Sequence, residues 1–200
     1  MKFALLDYHA SNMFSLIAAF KRLDVETKIV TKEDNFNEYS AIILPGVGNF
    51  SSASDITSDC KEKILACVDK GVPLLGICLG LQVLFESSSE GDGKGLEIFE
   101  GDVIKFPPHV KVPHIGWNQV FPLMNSVLLK GLENKNWVYF AHSYYPKPRD
   151  ESIIKGITEY GIKFASVIER EPVFGTQFHP EKSSATGKSI LKNFIEYVKR

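Results

Sequence analysis

The first half of the chain alternates short apolar runs with segments that repeat their apolar residues at helical spacing. Four runs are typical of buried strands, at 2–6, 25–30, 41–44 and 72–77. The helical repeat predicts helices over 13–23, 56–70 and 79–85. Strands that alternate with helices favour crossover units and therefore a parallel sheet.

The second half has a different pattern, with short strand-like runs separated by turn residues. These runs lie at 96–106, 118–121, 137–142, 163–168 and 173–178. They predict an antiparallel or mixed extension of the sheet, followed by an amphipathic C-terminal helix. Because no segment has the composition of a linker, residues 1–200 are expected to form one α/β domain. Its sheet is predicted to be open, mostly parallel or mixed, and flanked by helices.

Composition excludes several classes of protein. Apolar residues make up 44% and charged residues 24% of the 200 residues, which is typical of a globular chain and not of a disordered one. The formal net charge is −1 and no basic stripe is visible, so nucleic acid is not expected as a partner.

The longest apolar stretch, at 72–85, is interrupted by two glycines and is shorter than the roughly 20 residues that a membrane helix needs. No membrane partner is therefore expected. Asp7 comes too early for a signal peptide, and only three cysteines are present, so a reducing, cytoplasmic location is predicted.

The sequence Gly76-Ile77-Cys78-Leu79-Gly80 places a cysteine between a predicted strand and a predicted helix. A nucleophile at such a turn has a strained backbone, and it needs small residues two positions away because strand and helix nearly touch. The helix N-terminus also favours the thiolate. A small buried residue in a tight turn would have the same pattern, so the pentapeptide alone leaves both interpretations open.

A thiol nucleophile needs a base, and the base needs a group that orients it. His179 follows the run 173–178, and Pro180 favours an extended conformation for it. Glu181 lies two residues further on, on the same face of an extended segment, so its carboxylate can reach the imidazole. An exposed histidine and glutamate at a strand end are the alternative, which is less favoured beside a cysteine elbow.

A third element, Gly46-Val47-Gly48, follows Pro45 at the end of the run 41–44. Exposed backbone N–H groups at a glycine-rich strand end suit an oxyanion. The string lacks the spacing of nucleotide-binding glycine motifs, and alone it is more often a turn than a site.

Together these strings resemble the class I (triad) glutamine amidotransferases. The resemblance is carried by PGVGNF, PLLGICLGLQVLF, YFAHSYY and FGTQFHPEKS, in the order oxyanion strand, nucleophile elbow and His-Pro-Glu. It covers residues 1–200 and implies a flavodoxin-like α/β fold without a metal or an organic cofactor. By this resemblance, Cys78 would attack the side-chain amide of glutamine, His179 would relay protons and Glu181 would orient His179.

The resemblance also implies a binding site for the rest of the reaction. A glutamyl thioester would form, release ammonia and be hydrolysed to glutamate. The remaining residues implied at the oxyanion and at the α-amino and α-carboxylate groups of glutamine are Gly46, Val47, Gly48, Leu79, Gln82, Ser143 and Tyr144.

PHIGWN, AHSYY and the pair Lys182 and Ser183 resemble one branch of the family, whose glutaminase passes ammonia to a (β/α)8 cyclase subunit in histidine biosynthesis. Asn12, Trp117 and Lys182 match positions at or near that interface, so a heterodimer with such a subunit is expected. Core burial is an equal alternative for Trp117, and a solvated side chain is the alternative for Lys182.

The loop Asp7-Tyr8-His9-Ala10-Ser11-Asn12 departs from the family pattern D-Y-G-x-G-N, because both glycines are replaced. This departure leaves open a paralogous synthase in modified-sugar assembly as the partner. A cysteine peptidase or redox thiol protein, and an inactive docking subunit, are further alternatives. The combined PGVG and His-Pro-Glu context disfavours the peptidase and redox alternatives, and the intact Cys78, His179 and Glu181 disfavour an inactive subunit.

Overall fold

The computed structural model describes residues 1–7, 13–132 and 136–200. The altered loop at 8–12, with the predicted interface residue Asn12, lies outside these residues. The described strands are β1 (Lys2–Leu6), β2 (Glu26–Val30), β3 (Ala41–Leu44), β4 (Leu74–Ile77), β5 (Ser87–Ser88), β6 (Gly101–Lys105), β7 (His114–Pro122), β8 (Asn136–His142), β9 (Tyr144–Pro148), β10 (Ile154–Glu159), β11 (Lys163–Arg170) and β12 (Val173–Thr176). The described helices are α1 (Met13–Lys21), α2 (Phe50–Asp59), α3 (Lys61–Asp69), α4 (Leu79–Gln82) and α5 (Ser184–Val198). None of these helices is long and apolar enough to cross a membrane.

The described strands form one nine-stranded mixed sheet and one small three-stranded sheet. The large sheet has the order β2-β1-β3-β4-β12-β11-β10-β7-β8, and the small one the order β5-β6-β9. From β2 to β12 the neighbouring strands run parallel, and from β12 to β8 they run antiparallel. The predicted open α/β sheet with an antiparallel extension is therefore confirmed.

Each face of the large sheet has its own apolar core. Phe3 of β1 packs edge-on against Phe20 of α1, with ring centroids 5.3 Å apart, and lies in one cluster with Phe194 of α5. Leu6, on the opposite face of the same strand, belongs to a second cluster with Phe50 of α2. Because both faces are covered, β3 and β4 are buried along their whole length, which explains their continuous apolar runs.

The single helix predicted over 56–70 is wrong, because the chain forms α2 and α3 with a break at Cys60. Cys60 has φ −114° and ψ 9°, outside the helical region. Helix α2 begins before the predicted start, and its Phe50 N–H donates to Glu90 Oε2 at 2.8 Å. This cap comes from a distant loop, so no local sequence pattern reveals it.

Two other predicted elements, the helix at 79–85 and the strand at 96–106, have different bounds in the structure. Helix α4 ends at Gln82, and the N–H groups of Leu84 and Phe85 bond three residues back instead of four. The strand predicted over 96–106 is restricted to β6. Strands β5, β9 and β10 lie outside all the predicted runs. The sequence of β9 contains Pro146 and Pro148, which argue against a strand but are tolerated at the edge position that β9 occupies.

Candidate active site

Three strand ends meet at the carboxyl edge of the parallel part of the sheet. In the register of the sheet, Leu44 of β3 pairs with Gly76 of β4, and Thr176 of β12 pairs with Ile77. The residues that follow these strands, among them Cys78, therefore lie side by side. Open α/β sheets bind ligands at this edge.

Cys78 occupies a strained turn between β4 and α4. Its φ of 52° and ψ of −103° lie in a region that residues other than glycine rarely adopt. A Cβ on Gly76 would lie 2.4 Å from Gly80 O, and a Cβ on Gly46 would lie 2.8 Å from Cys78 Cβ. The close approach of strand and helix expected around the cysteine is therefore present, and it leaves no room for side chains at these glycines.

Cys78 is 5% exposed, and its thiol has polar neighbours. Its Sγ lies 3.8 Å from the backbone oxygen of Ala141 and 3.6 Å from Gln177 Nε2. The Cys78 N–H donates to Thr176 O at 2.7 Å, which ties the turn to β12. Gln177 is fully buried, so its amide is a fixed donor beside the sulfur.

His179 and Glu181 form a buried pair next to Cys78. His179 has the extended conformation predicted for it, with φ −97° and ψ 97°. Its Nδ1 lies 2.9 Å from Glu181 Oε1, and the two side chains are 2% and 3% exposed. Burial alone would lower the pKa of His179, but the Cys78 thiolate and the Glu181 carboxylate outweigh burial and raise this pKa to about 10. The arrangement therefore favours the imidazolium form of His179 at neutral pH.

A cavity of about 300 Å³ opens above the sulfur, which is enough for a small ligand. The predicted oxyanion and substrate residues all line it together with Cys78; they are Gly46, Val47, Gly48, Leu79, Gln82, Ser143 and Tyr144. Gln82 Nε2 donates to Tyr144 O at 3.0 Å, which joins two of these residues directly.

Sequence reasoning missed several residues of the cavity wall. They are Glu90, Pro113, Ile115, Ala141 and His142. Glu90 lies in a stretch that shows no periodic pattern, and its link to the site is the tertiary hydrogen bond to Phe50. His142 belongs to the YFAHSYY string, which was the available signal for it.

Two predicted interface residues lie near one another on the outer side of the sheet. Trp117 is 49% exposed, so the alternative that it lies in the core is wrong. The Trp117 and Tyr139 rings meet edge-on at 6.1 Å, and Lys182 Nζ lies 5.8 Å from the Tyr139 ring centroid.

Comparison with known proteins shows which family this chain matches and which sequences it resembles. The family model for glutamine amidotransferase class-I matches residues 4–197. The chain is similar to imidazole glycerol phosphate synthase subunit HisH of Methanocaldococcus jannaschii, with 47% identity over 195 residues, 97% of this chain and 98% of the relative. It is 44% identical over 199 residues to the subunit of that name from Caldanaerobacter subterraneus subsp. tengcongensis, covering 98% of each chain.

Two solved structures share the fold. One is PurLQS from Thermotoga maritima, with a TM-score of 0.79, 18% identity and coverage of 98% of both chains. The other is a glutamine amidotransferase, with a TM-score of 0.77 and 19% identity over 98% of this chain and 99% of that one.

Proposed function

Because the chain belongs to the class-I glutamine amidotransferase family, we propose that it is the glutaminase subunit of an imidazole glycerol phosphate synthase in histidine biosynthesis. Residues 1–200 act as one domain that hydrolyses glutamine to glutamate and ammonia. The observation that carries the proposal is the strained Cys78 turn on the cavity of about 300 Å³, beside the buried pair of His179 and Glu181. A cytoplasmic location goes with this function, since a reducing compartment keeps Cys78 a free thiol.

In the first half-reaction, the Cys78 thiolate attacks the side-chain carbonyl carbon of glutamine. A C–S bond forms, and the carbonyl oxygen becomes an oxyanion. The His179 imidazolium gives its proton to the amide nitrogen, the C–N bond breaks, and ammonia leaves a glutamyl thioester. Glu181 keeps His179 in the orientation that this transfer needs.

In the second half-reaction, neutral His179 takes a proton from water while the oxygen attacks the thioester. The C–S bond breaks, which restores the Cys78 thiolate and the His179 imidazolium. The product leaves as the acid and ionises in solution to glutamate.

The oxyanion of both steps is held by backbone N–H groups. Leu79 N–H, the first of helix α4, has no acceptor within the helix, and Val47 and Gly48 offer N–H groups in the loop that follows β3.

The charged head of glutamine is bound at the other end of the cavity. Gln82 Nε2 is engaged by Tyr144 O, so the Gln82 carbonyl oxygen is left to accept from the α-ammonium group. The Glu90 carboxylate supplies the opposite charge, with Oε2 fixed by Phe50 N–H at 2.8 Å. The Ser143 and Tyr144 backbone donates to the α-carboxylate.

The outer face of β7 and β8 receives the (β/α)8 cyclase subunit. On this face Ile115 is 62% and Trp117 is 49% exposed, and clustered apolar side chains at a surface are typical of protein interfaces. Lys182, held over the Tyr139 ring, is suited to an acidic residue of the partner. Ile115 also lines the cavity, so a subunit docked here covers its mouth and receives ammonia. The role of Asn12 stays a prediction.

The first experiment measures glutamate release from glutamine by the full chain, alone and with the cyclase subunit of the same organism and its nucleotide ligand. Cys78→Ala should abolish release and leave complex formation intact. Cys67→Ala is the matched control, because Cys67 is also buried but lies in α3, outside the cavity lining.

Stimulation by the cyclase that is lost in Cys78→Ala supports both the chemistry and the partner. If the glutamine analogue 6-diazo-5-oxo-L-norleucine labels Cys78 but the cyclase gives no stimulation, the partner is a paralogous synthase. Cleavage of peptides without glutamine hydrolysis would contradict the proposal and favour a cysteine peptidase.

A further inference from the structure

A chain of side-chain hydrogen bonds runs from strand β7 to the wall of the cavity. Asn118 Nδ2 lies 3.3 Å from His114 Nε2, and His114 Nδ1 lies 3.1 Å from His142 Nε2. His142 Nδ1 lies 2.8 Å from Tyr144 O. The two histidines are 3% and 5% exposed, and neither takes part in the reaction described above.

The groups at the two ends of this series of hydrogen bonds decide which atom donates and which accepts in each bond. Tyr144 O is a backbone carbonyl that can only accept, so His142 carries its proton on Nδ1 and accepts on Nε2. His114 must then donate from Nδ1 and accept on Nε2. At the far end, Asn118 Nδ2 donates to Glu159 O at 2.9 Å, which orients the amide so that its second hydrogen meets His114.

Both histidines have to be neutral for this arrangement, since a proton on either acceptor nitrogen would face another donor. Burial lowers the pKa of His114 to about 4 and that of His142 to about 3. The neighbouring His114 and His179 further disfavour a charge on His142. The His114 ring is stacked against Tyr160 at 3.9 Å and Phe140 at 4.6 Å, so it is also held in place sterically.

Tyr144 O connects the histidines to the residues that face glutamine. It accepts a second hydrogen bond, from Gln82 Nε2 at 3.0 Å, and Gln82 Nε2 also lies 3.3 Å from Gln177 Oε1. Gln177 Nε2 lies 3.6 Å from Cys78 Sγ. Flipping the Gln82 amide would set its carbonyl against Tyr144 O, and flipping the Gln177 amide would set two donors against each other.

We propose that His142 and His114 are positioning residues that, as neutral Nδ1–H tautomers, fix the Tyr144 carbonyl and, through it, the orientation of the Gln82 and Gln177 amides. This inference rests on the proposed function, in which Gln82 binds the α-ammonium group of glutamine. The histidines act on substrate binding, and the proton transfers belong to His179.

Substituting His142 with asparagine or with glutamine tests its two ring nitrogens separately. An asparagine amide takes the place of Nδ1 and retains a donor for Tyr144 O, whereas a glutamine amide reaches the place of Nε2 and does not. We expect H142Q to raise the KM for glutamine about tenfold, because the loss of one hydrogen bond weakens binding by about that factor. H142N, which retains the donor, should have a KM well below that of H142Q. His109→Gln, at an exposed histidine outside the chain of bonds, is the control with the wild-type KM.

The kinetic test uses the full chain with folding checked by thermal unfolding. Reaction of Cys78 with iodoacetamide, which has no α-amino group, is compared with its reaction with 6-diazo-5-oxo-L-norleucine. H142Q should slow the analogue and not iodoacetamide. A KM that rises equally in H142N and H142Q, or in neither, overturns the inference. If H142Q does not fold, the same pair of substitutions at His114 decides, because His114 Nδ1 is the donor to His142.

A direct measurement reads the tautomers of the wild-type chain. Long-range ¹H–¹⁵N NMR correlations at neutral pH should show both histidines protonated on Nδ1 alone. An imidazolium or an Nε2–H tautomer at either position overturns the inference. If iodoacetamide alkylates Cys78 but the chain neither hydrolyses glutamine nor reacts with the analogue, the proposed function fails, and the NMR result still decides the hydrogen-bond chain.

Discussion

Replacing Gly80 with alanine would separate the two elements that hold the cysteine turn. The new Cβ would lie 2.0 Å from Leu44 O, whereas ordinary contact begins at 3.4 Å. Leu44 O belongs to the backbone of β3, so it cannot rotate away as a flexible side chain would. Strand β3 and helix α4 must therefore move apart by about 1.4 Å, the difference between these two distances, in a close-packed interior.

This separation acts on both the reaction and the stability. Gly80 follows Leu79, whose N–H is proposed to bind the oxyanion, and a displacement of about 1 Å in reacting groups costs about 100-fold in rate. We therefore expect kcat/KM for glutamine to fall about 100-fold. Overpacking of this kind costs about 1–3 kcal/mol of unfolding free energy, or roughly 2–12 °C in Tm for a chain of this size.

Steady-state glutamate release and thermal unfolding measure the two effects. Gly131→Ala is the matched control, because a Cβ built at Gly131 would have no atom of the described residues within 4 Å, although the φ of Gly131 is +74°. It should lose about 1 kcal/mol of stability to the left-handed backbone and keep its activity. A Gly80→Ala variant with kcat/KM within a few fold of the wild type would refute the reasoning, because the turn would then tolerate the separation.

Three further predictions concern charges at the site. Glu181→Gln removes the carboxylate 2.9 Å from His179 Nδ1, so the His179 pKa should fall and kcat should drop about 100-fold or more in steady-state assays of a variant that still folds. Glu90→Gln should raise the KM for glutamine about tenfold and leave alkylation of Cys78 by iodoacetamide unchanged, whereas an unchanged KM would remove Glu90 from the binding site. The His179 pKa is raised from 6.5 to about 10, so its charge stabilises the fold fully below pH 6.5 and this contribution is lost as pH rises toward 10. Denaturant unfolding over this window should show a weaker pH dependence in Cys78→Ala, which removes the largest interaction that raises the His179 pKa, and equal slopes would contradict the coupling.

The parts of the site that sequence analysis locates have signals confined to a few neighbouring residues. Gly76 and Gly80 flank Cys78 because a single turn has to bring strand and helix into contact. His179 and Glu181 are two residues apart on an extended segment, so their contact follows from local backbone geometry. Such features do not depend on how distant segments pair.

The parts that sequence analysis misses depend on tertiary pairing. Glu90 joins the cavity because it caps helix α2, forty residues earlier in the chain. His114 and His142 are cross-strand partners in the register of β7 and β8, and only the pairing of these strands makes them a buried pair. A lone histidine on a predicted strand carries no information about its partner.

Strand β7 also shows why the position of Trp117 could not be settled by pattern. His114 and Val120 of this strand are buried, whereas Ile115 and Trp117 are exposed, so the strand alternates between the core and the outer face. A tryptophan fits either face of such a strand. Its exposure follows from the position of β7 and β8 at one end of the large sheet, which the sequence pattern does not reveal. If the (β/α)8 subunit docks on the outer face, one rigid strand carries both the docking residues and His114. A change in the backbone of β7 on docking would then move the hydrogen-bond chain that holds Tyr144, which gives a physical route from the partner to the glutamine site.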